Sequence, residues 1–216
     1  MGAKIDLAFS YLIKGCTRPK RVLQVLKNSI LDFVFGGKYL GVTLANEDKQ
    51  RGYVNTGSSE YTWLEQLFSH VSINNDDVIV DVGCGKGRVL NWLLSKRLKN
   101  KLIGVEVYPE IASFTRDRLK KYTQVEIITG CVGEDERLIE EGTIFYLYHP
   151  FRERLMKNFS DQLANKIKVG CYPGGNRPVI IYHNHVYLDV FEQNSTWKIK
   201  RIGKIGEHES AIIYPA

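Results

Sequence analysis

The 216-residue sequence predicts an α/β fold: a mostly parallel sheet with helices on both faces, a closing antiparallel strand pair, and a helical extension in front. Three observations predict it. Short apolar runs rich in β-branched residues alternate with amphipathic stretches. The first of these runs ends in a glycine turn that leads directly into a helical pattern. Near the C-terminus, residues 197–202 and 211–214 read as two strands around Gly203 and Gly206, which is a hairpin rather than another crossover.

Residues 1–50 read as a basic helical extension, broken near residues 15–19 and again at Gly36-Gly37. Val22, Leu23, Leu26, Ile30, Phe33 and Val34 share one helical face, so this arm is expected to pack on something. The polar loop 51–60 opens the main domain, residues 51–216. A helix follows with Tyr61, Leu64, Leu67, Phe68 and Val71 on one face, and Ser58 or Ser59 is its expected N-cap. Asn74-Asn-Asp-Asp77 turns the chain into the first strand, 78–82. Further strands are predicted at 102–106, 125–129, 143–147 and 178–182, which with the closing pair makes seven. Helical stretches fall near 86–98, 109–121, 132–140 and 152–168.

Composition bounds the function. With 44% hydrophobic and 25% charged residues the chain is an ordinary globular protein of one-domain size. No apolar run reaches the ~20 residues of a membrane span, and 7–13 is too short for a signal peptide. Cys16, Cys84, Cys131 and Cys171 form no C-x-x-C pair and read as reduced thiols, which suits the cytoplasm. The charge is uneven. Residues 1–30 hold Lys4, Lys14, Arg18, Lys20, Arg21 and Lys27 against Asp6, a net +5 out of +6 for the whole chain. Such an arm suits nucleic acid, an anionic membrane surface or an acidic protein. No zinc-finger pattern, basic heptad region or RNA-binding aromatic motif accompanies it, so nucleic acid rests on charge alone.

The stretch Val78-Ile-Val-Asp-Val-Gly-Cys-Gly-Lys-Gly-Arg88 carries the chemistry. Its glycines let the backbone turn sharply and approach a ligand that any Cβ would obstruct. A dinucleotide fingerprint is G-x-G-x-x-G, whereas Gly83, Gly85 and Gly87 alternate as G-x-G-x-G behind acidic Asp81. A carboxylate there repels pyrophosphate and suits a ligand bearing an ammonium group. A second carboxylate, Glu106, closes the next strand 25 residues beyond Asp81.

This set resembles motif I and the following acidic residue of the class I S-adenosylmethionine-dependent methyltransferases. The resemblance covers roughly residues 50–216 and implies a seven-stranded Rossmann-like sheet with S-adenosylmethionine as cofactor. It places Asp81, Gly83, Cys84, Gly85 and Gly87 around the methionine portion and Glu106 on the ribose hydroxyls. Val107 and Tyr108 then lie beside the adenine, with Cys131 standing where many relatives carry an acid. Gly52-Tyr-Val-Asn-Thr56 and the run Tyr148-His149-Pro150-Phe151 are similar to a small bacterial subgroup with GY-x-x-T and N-P-F elements. Some relatives of that shape methylate protein lysines.

An imidazole in place of the amide can accept a hydrogen bond from an amine or a proton from a hydroxyl. His149 is therefore the expected catalytic residue, held extended by Pro150, with Tyr61 and His183 as the next candidates. His149, His183 and His185 could gather at the carboxyl edge of the sheet, but without a carboxylate partner no metal is predicted. The methyl acceptor, protein or small molecule, amine or hydroxyl, stays open. The alternatives are an S-adenosylmethionine-binding protein without transfer activity, an aminopropyl transferase and a dinucleotide-dependent oxidoreductase.

Overall fold

A computed structural model describes residues 19–41, 58–170 and 178–216. The GY-x-x-T element at 52–56, residues 1–18, Cys16 and Cys171 lie outside the described residues. The helices are α1 (Pro19–Gly36), α2 (Tyr61–Phe68), α3 (Arg88–Ser95), α4 (Pro109–Leu119), α5 (Glu153–Lys168) and the short α6 (Asp189–Glu192). The strands are β1 (Val78–Val82), β2 (Lys101–Glu106), β3 (Val125–Thr129), β4 (Ile144–Tyr148), β5 (Val179–His183), β6 (Trp197–Ile205) and β7 (His208–Pro215).

The strands form one seven-stranded sheet in the order β3-β2-β1-β4-β5-β7-β6. β1 to β5 run parallel, and β7 pairs antiparallel with both β5 and β6. The order reverses between β1 and β4, so the crossovers to either side leave a crevice beyond the carboxyl ends of those two strands. The central strands are buried on both faces, which is why their sequences are continuous apolar runs rather than alternating ones.

Strand periodicity sorts the residues between two cores. Val80, Val82, Ile103, Val105, Phe145, Leu147, Ile180 and Tyr182 meet Leu155, Met156, Phe159 and Leu163 of α5. Ile79, Leu102, Ile144, Tyr146 and Ile181 meet α2 and α3 on the other face. By the same alternation Asp81 and Glu106, at the ends of their strands, share parity with the second set. So do Tyr148 and His183, which are register partners.

Three local expectations change. α2 starts after Glu60, which makes no side-chain cap; Ser58 donates instead to the Leu40 carbonyl, and Ser59 Oγ pairs with Tyr146 Oη at 2.6 Å. Of the helix expected at 132–140 only a 3-10 turn forms, Glu136–Ile139, capped by the Asp135 side chain. The closing strands are longer than their apolar patterns, because Lys198, Lys200 and Lys204 suit a solvated edge strand.

α1 reverses the usual amphipathic arrangement. Asn28 and Asp32 are buried against the domain, while Val22, Leu23, Leu26, Ile30, Phe33 and Val34, expected to pack, are exposed. Buried charge and hydrogen bonding decide the orientation. Asp32 accepts from Arg88 Nε at 2.8 Å and from its second nitrogen at 2.6 Å, and also from Leu40 N and Tyr61 Oη. Asn28 Oδ1 accepts from Tyr61 N. Turning the apolar face inward would leave buried Arg88 without its counter-charge.

Candidate functional site

The glycine turn sits at the carboxyl end of β1. Gly83, Gly85 and Gly87 all adopt the left-handed region, at φ of 78°, 51° and 77°. A side chain at any of them would be strained, which accounts for the alternating spacing. Gly83 N and Cys84 N both donate to the Val105 carbonyl, tying the turn to β2. The turn is further held from behind, where Thr115 Oγ1 donates to the Gly85 carbonyl at 2.7 Å. Gly87 caps α3, so Arg88 enters the wall of the site as the first helical residue.

An open cleft lies over this turn, at the place where ligands bind in open α/β sheets. Asp81, Gly83, Cys84, Glu106, Val107, Tyr108, Cys131 and His149 all line it. Gly85 and Gly87 shape the turn without lining the cleft themselves. Four chain segments thus converge at the switch point, although they are up to 68 residues apart in sequence (Asp81 to His149).

The two carboxylates differ. Asp81 is 3% exposed, and its Oδ2 has no hydrogen-bond partner among the described residues. Burial, reinforced by the charge of Glu106, pushes its carboxyl up to about 8. Glu106 is bound by backbone: Oε2 accepts from Gly85 N at 2.8 Å and Oε1 from Tyr108 N at 3.0 Å. Burial still raises its pKa above the usual range, although those N–H groups and that of Val107 oppose the shift. A buried acceptor without a partner invites a donor or cation from a ligand. The pair makes the cleft acidic where a pyrophosphate would need N–H groups and positive charge, and it fits an ammonium and a pair of ribose hydroxyls instead. Cys131 is buried there, its thiol pushed up to about 11 by burial, so it stays protonated and offers a weak donor.

The β4 end is built from rings. His149 has φ of 43°, not the extended conformation that Pro150 favours. The chain leaves β4 in a sharp turn that brings Pro150 against Gly83 and buries Phe151, and His149 takes the strain. Its ring lies 5.6 Å from that of Tyr187, and Nδ1 is buried with no partner among the described residues. Burial, then the charge of Arg152, holds its pKa below the ordinary histidine value, so the ring is neutral at pH 7.

Tyr61 and His183 do not reach the cleft. Tyr61 Oη donates to Asp32 and accepts from Asn91, and burial raises its pKa far above the usual phenol value. It holds α1 rather than facing a ligand. His183 is fully buried, with Nδ1 on Ser210 Oγ at 2.8 Å and its ring 4.7 Å from Tyr148, and burial pushes its pKa down to about 3. His185 packs edge-on against Tyr182. The three imidazoles have separate neighbours, and among the described residues no group of three His, Cys, Asp or Glu side chains is set to hold a metal ion.

Sequence reasoning missed Ser58, Ser59, Arg88 and Tyr148 in the lining. Arg88 was signalled by its place directly after the last glycine. Tyr148 was signalled by strand parity, since it ends β4 on the face that carries Asp81. Its Oη pairs with His208 Nε2 at 3.1 Å.

Comparison with known proteins follows the fold. No protein-family model matches the sequence. No curated protein matches it either. Many solved structures share the architecture. A putative methyltransferase, yhhF, from Escherichia coli is 16% identical over 81% of this chain and 88% of that one, with a TM-score of 0.55. TrmN from Thermus thermophilus is 10% identical over 74% of this chain and 49% of that one, at 0.57. The precorrin-6y C5,15-methyltransferase from Geobacter metallireducens is 13% identical over 78% and 94%, at 0.54. The fold is therefore the Rossmann-like fold of the class I S-adenosylmethionine-dependent methyltransferases. At these identities the likeness establishes architecture, and function has to be argued from the cleft.

Proposed function

We propose that this chain is an S-adenosylmethionine-dependent methyltransferase acting on an amine or hydroxyl. The observation that carries the reading is the cleft at the switch point, where Asp81 and Glu106 flank a turn of three left-handed glycines. The unpartnered Asp81 oxygen and the space over the glycines fit the cofactor's ammonium and its close approach to the backbone. Glu106 is pinned by Gly85 and Tyr108, so its remaining lone pairs are oriented for ribose hydroxyls without rearrangement. Val107 and Tyr108 offer packing for the adenine, which Cys131 can assist only weakly.

When bound, the cofactor supplies a methyl group already activated on a positively charged sulfur. What remains for the protein is orientation, exclusion of water and the handling of one proton. His149 Nδ1, neutral and without a partner among the described residues, can accept that proton from an acceptor amine or hydroxyl. Tyr148 and Phe151 give the cleft aromatic walls.

Calorimetry with S-adenosylhomocysteine, S-adenosylmethionine and NAD tests the reading. Binding of the first two without the third is expected. Glu106→Ala should weaken binding by about 1–3 kcal/mol, as oriented acceptors are lost. Gly85→Val should abolish it, because a β-branched residue is strained at φ of 51°. Equal binding by all three proteins would remove the site assignment. A methyl-transfer screen across cell-extract fractions then separates an enzyme from a protein that only binds.

A further inference from the structure

We infer that the outward face of α1 is a docking surface for an anionic membrane. The helix is 18 residues long, about 27 Å. At 100° per residue Val22, Phe33, Leu26, Ile30, Leu23 and Val34 fall within an arc of about 120°. Leu23 is 66% exposed, Phe33 60% and Val34 67%, values more usual for polar residues. Six large apolar side chains in one outward stripe are more than a monomer normally leaves on its surface. The opposite side of the helix is committed to the domain through Asn28 and Asp32, so the stripe cannot turn inward.

Charge selects the occupant. The only acid in α1 is Asp32, fully buried and paired with Arg88. The outward face of the helix therefore carries no negative charge, and exposed Lys27 stands beside the stripe. The sequence around it concentrates the chain's positive charge, with a net +5 in residues 1–30 and +1 in the other 186. A second copy of the chain would bring like charges together. Nucleic acid would meet Leu, Phe and Val where it needs phosphate contacts. An apolar stripe flanked by cations matches the interfacial helix of a membrane-surface protein, with leucine and phenylalanine reaching the acyl boundary and lysine meeting anionic headgroups. Among the described residues no helix is long and apolar enough to cross a membrane, so attachment is to the surface. Docking would bring the cleft to that surface, because the helix is fastened through Arg88 to the cleft wall.

The test is co-flotation of the full chain with vesicles of phosphatidylcholine, with and without phosphatidylglycerol. The protein should float with the anionic vesicles and bind neutral ones about tenfold more weakly. The double substitution L23E/F33E should abolish flotation and K27E should weaken it several-fold. Both should leave the melting temperature and S-adenosylhomocysteine binding unchanged, since these side chains face solvent. That last readout keeps the outcome separate from the cofactor assignment. Failure of the wild type to float overturns the inference. Sedimentation then tests the next occupant: a dimer that L23E/F33E converts to monomer assigns the face to a second copy. Salt-sensitive binding to polyuridylate that L23E/F33E leaves intact, without flotation, overturns it in favour of nucleic acid.

Discussion

The two ends of the cleft are built by different means. At β1 and β2 the shape is set by backbone: three glycines at positive φ, two N–H groups on the Val105 carbonyl, two more on Glu106. At β4 and β5 it is set by side chains, with His149 against Tyr187, and Tyr148 beside His183 and hydrogen-bonded to His208. Backbone geometry tolerates few residue types, so the first end is written in a spacing that can be read. Ring packing tolerates many substitutions of similar size. The second end can diverge with the acceptor while the first stays fixed.

The largest expected effect tests whether the glycine end is as self-sufficient as its backbone bonds suggest. Arg88, first residue after the turn and 7% exposed, depends on Asp32 of α1 for its charge. Asp32→Ala should cost about 3–5 kcal/mol in denaturant unfolding, since a buried guanidinium is stranded and Leu40 N and Tyr61 Oη lose an acceptor. A loss below 1 kcal/mol would mean that α1 is peripheral and the turn stands alone.

How much could be read from the sequence follows the same division. The five parallel strands, the closing hairpin and the tight turn at Gly83, Gly85 and Gly87 were legible, because each rests on a local backbone requirement. The orientation of α1 was not. Hydrophobic periodicity predicts which residues share a face, and Val22 to Val34 do share one, but it cannot say which face is buried. A long-range ion pair, Asp32 with Arg88 at 56 positions' separation, decided that. Tyr61 was misplaced for the same reason, since its partners Asn28, Asp32 and Asn91 are visible only in three dimensions. The extended conformation expected for His149 gave way to a turn set by Pro150 packing on Gly83.

A smaller effect, in pH, sharpens the contrast between the two carboxylates. With its folded pKa raised to about 8, Asp81 holds a proton that the unfolded chain releases near pH 4. Its contribution to stability is therefore complete below about pH 4 and is lost as pH climbs through 8. Cofactor binding should run the other way, because an ammonium favours the ionised carboxylate. Affinity for S-adenosylhomocysteine should rise with pH by up to about tenfold per unit below 8 and then level off. Calorimetry in buffers of differing ionisation enthalpy should show proton release on binding, and Asp81→Asn should remove both effects. An affinity flat between pH 6 and 8 in the wild type would place the ammonium elsewhere.

The smallest effect concerns the ring-built end. His149 holds φ of 43° immediately before a proline, a conformation that costs most residues about 1–2 kcal/mol and asparagine less. His149→Asn should therefore leave the thermal midpoint unchanged, whereas His149→Ala should lower stability by about 1 kcal/mol. Neither should alter S-adenosylhomocysteine affinity by more than about twofold, since the glycine end holds that ligand. Methyl transfer should separate the variants differently. An amine acceptor deprotonated in solution needs only a hydrogen-bond acceptor, which asparagine's amide oxygen supplies, but a hydroxyl must lose its proton to a base, which only the imidazole provides. Transfer that survives in both variants would leave His149 as a residue that shapes the turn, and the acceptor would then be positioned by Tyr148 and Phe151.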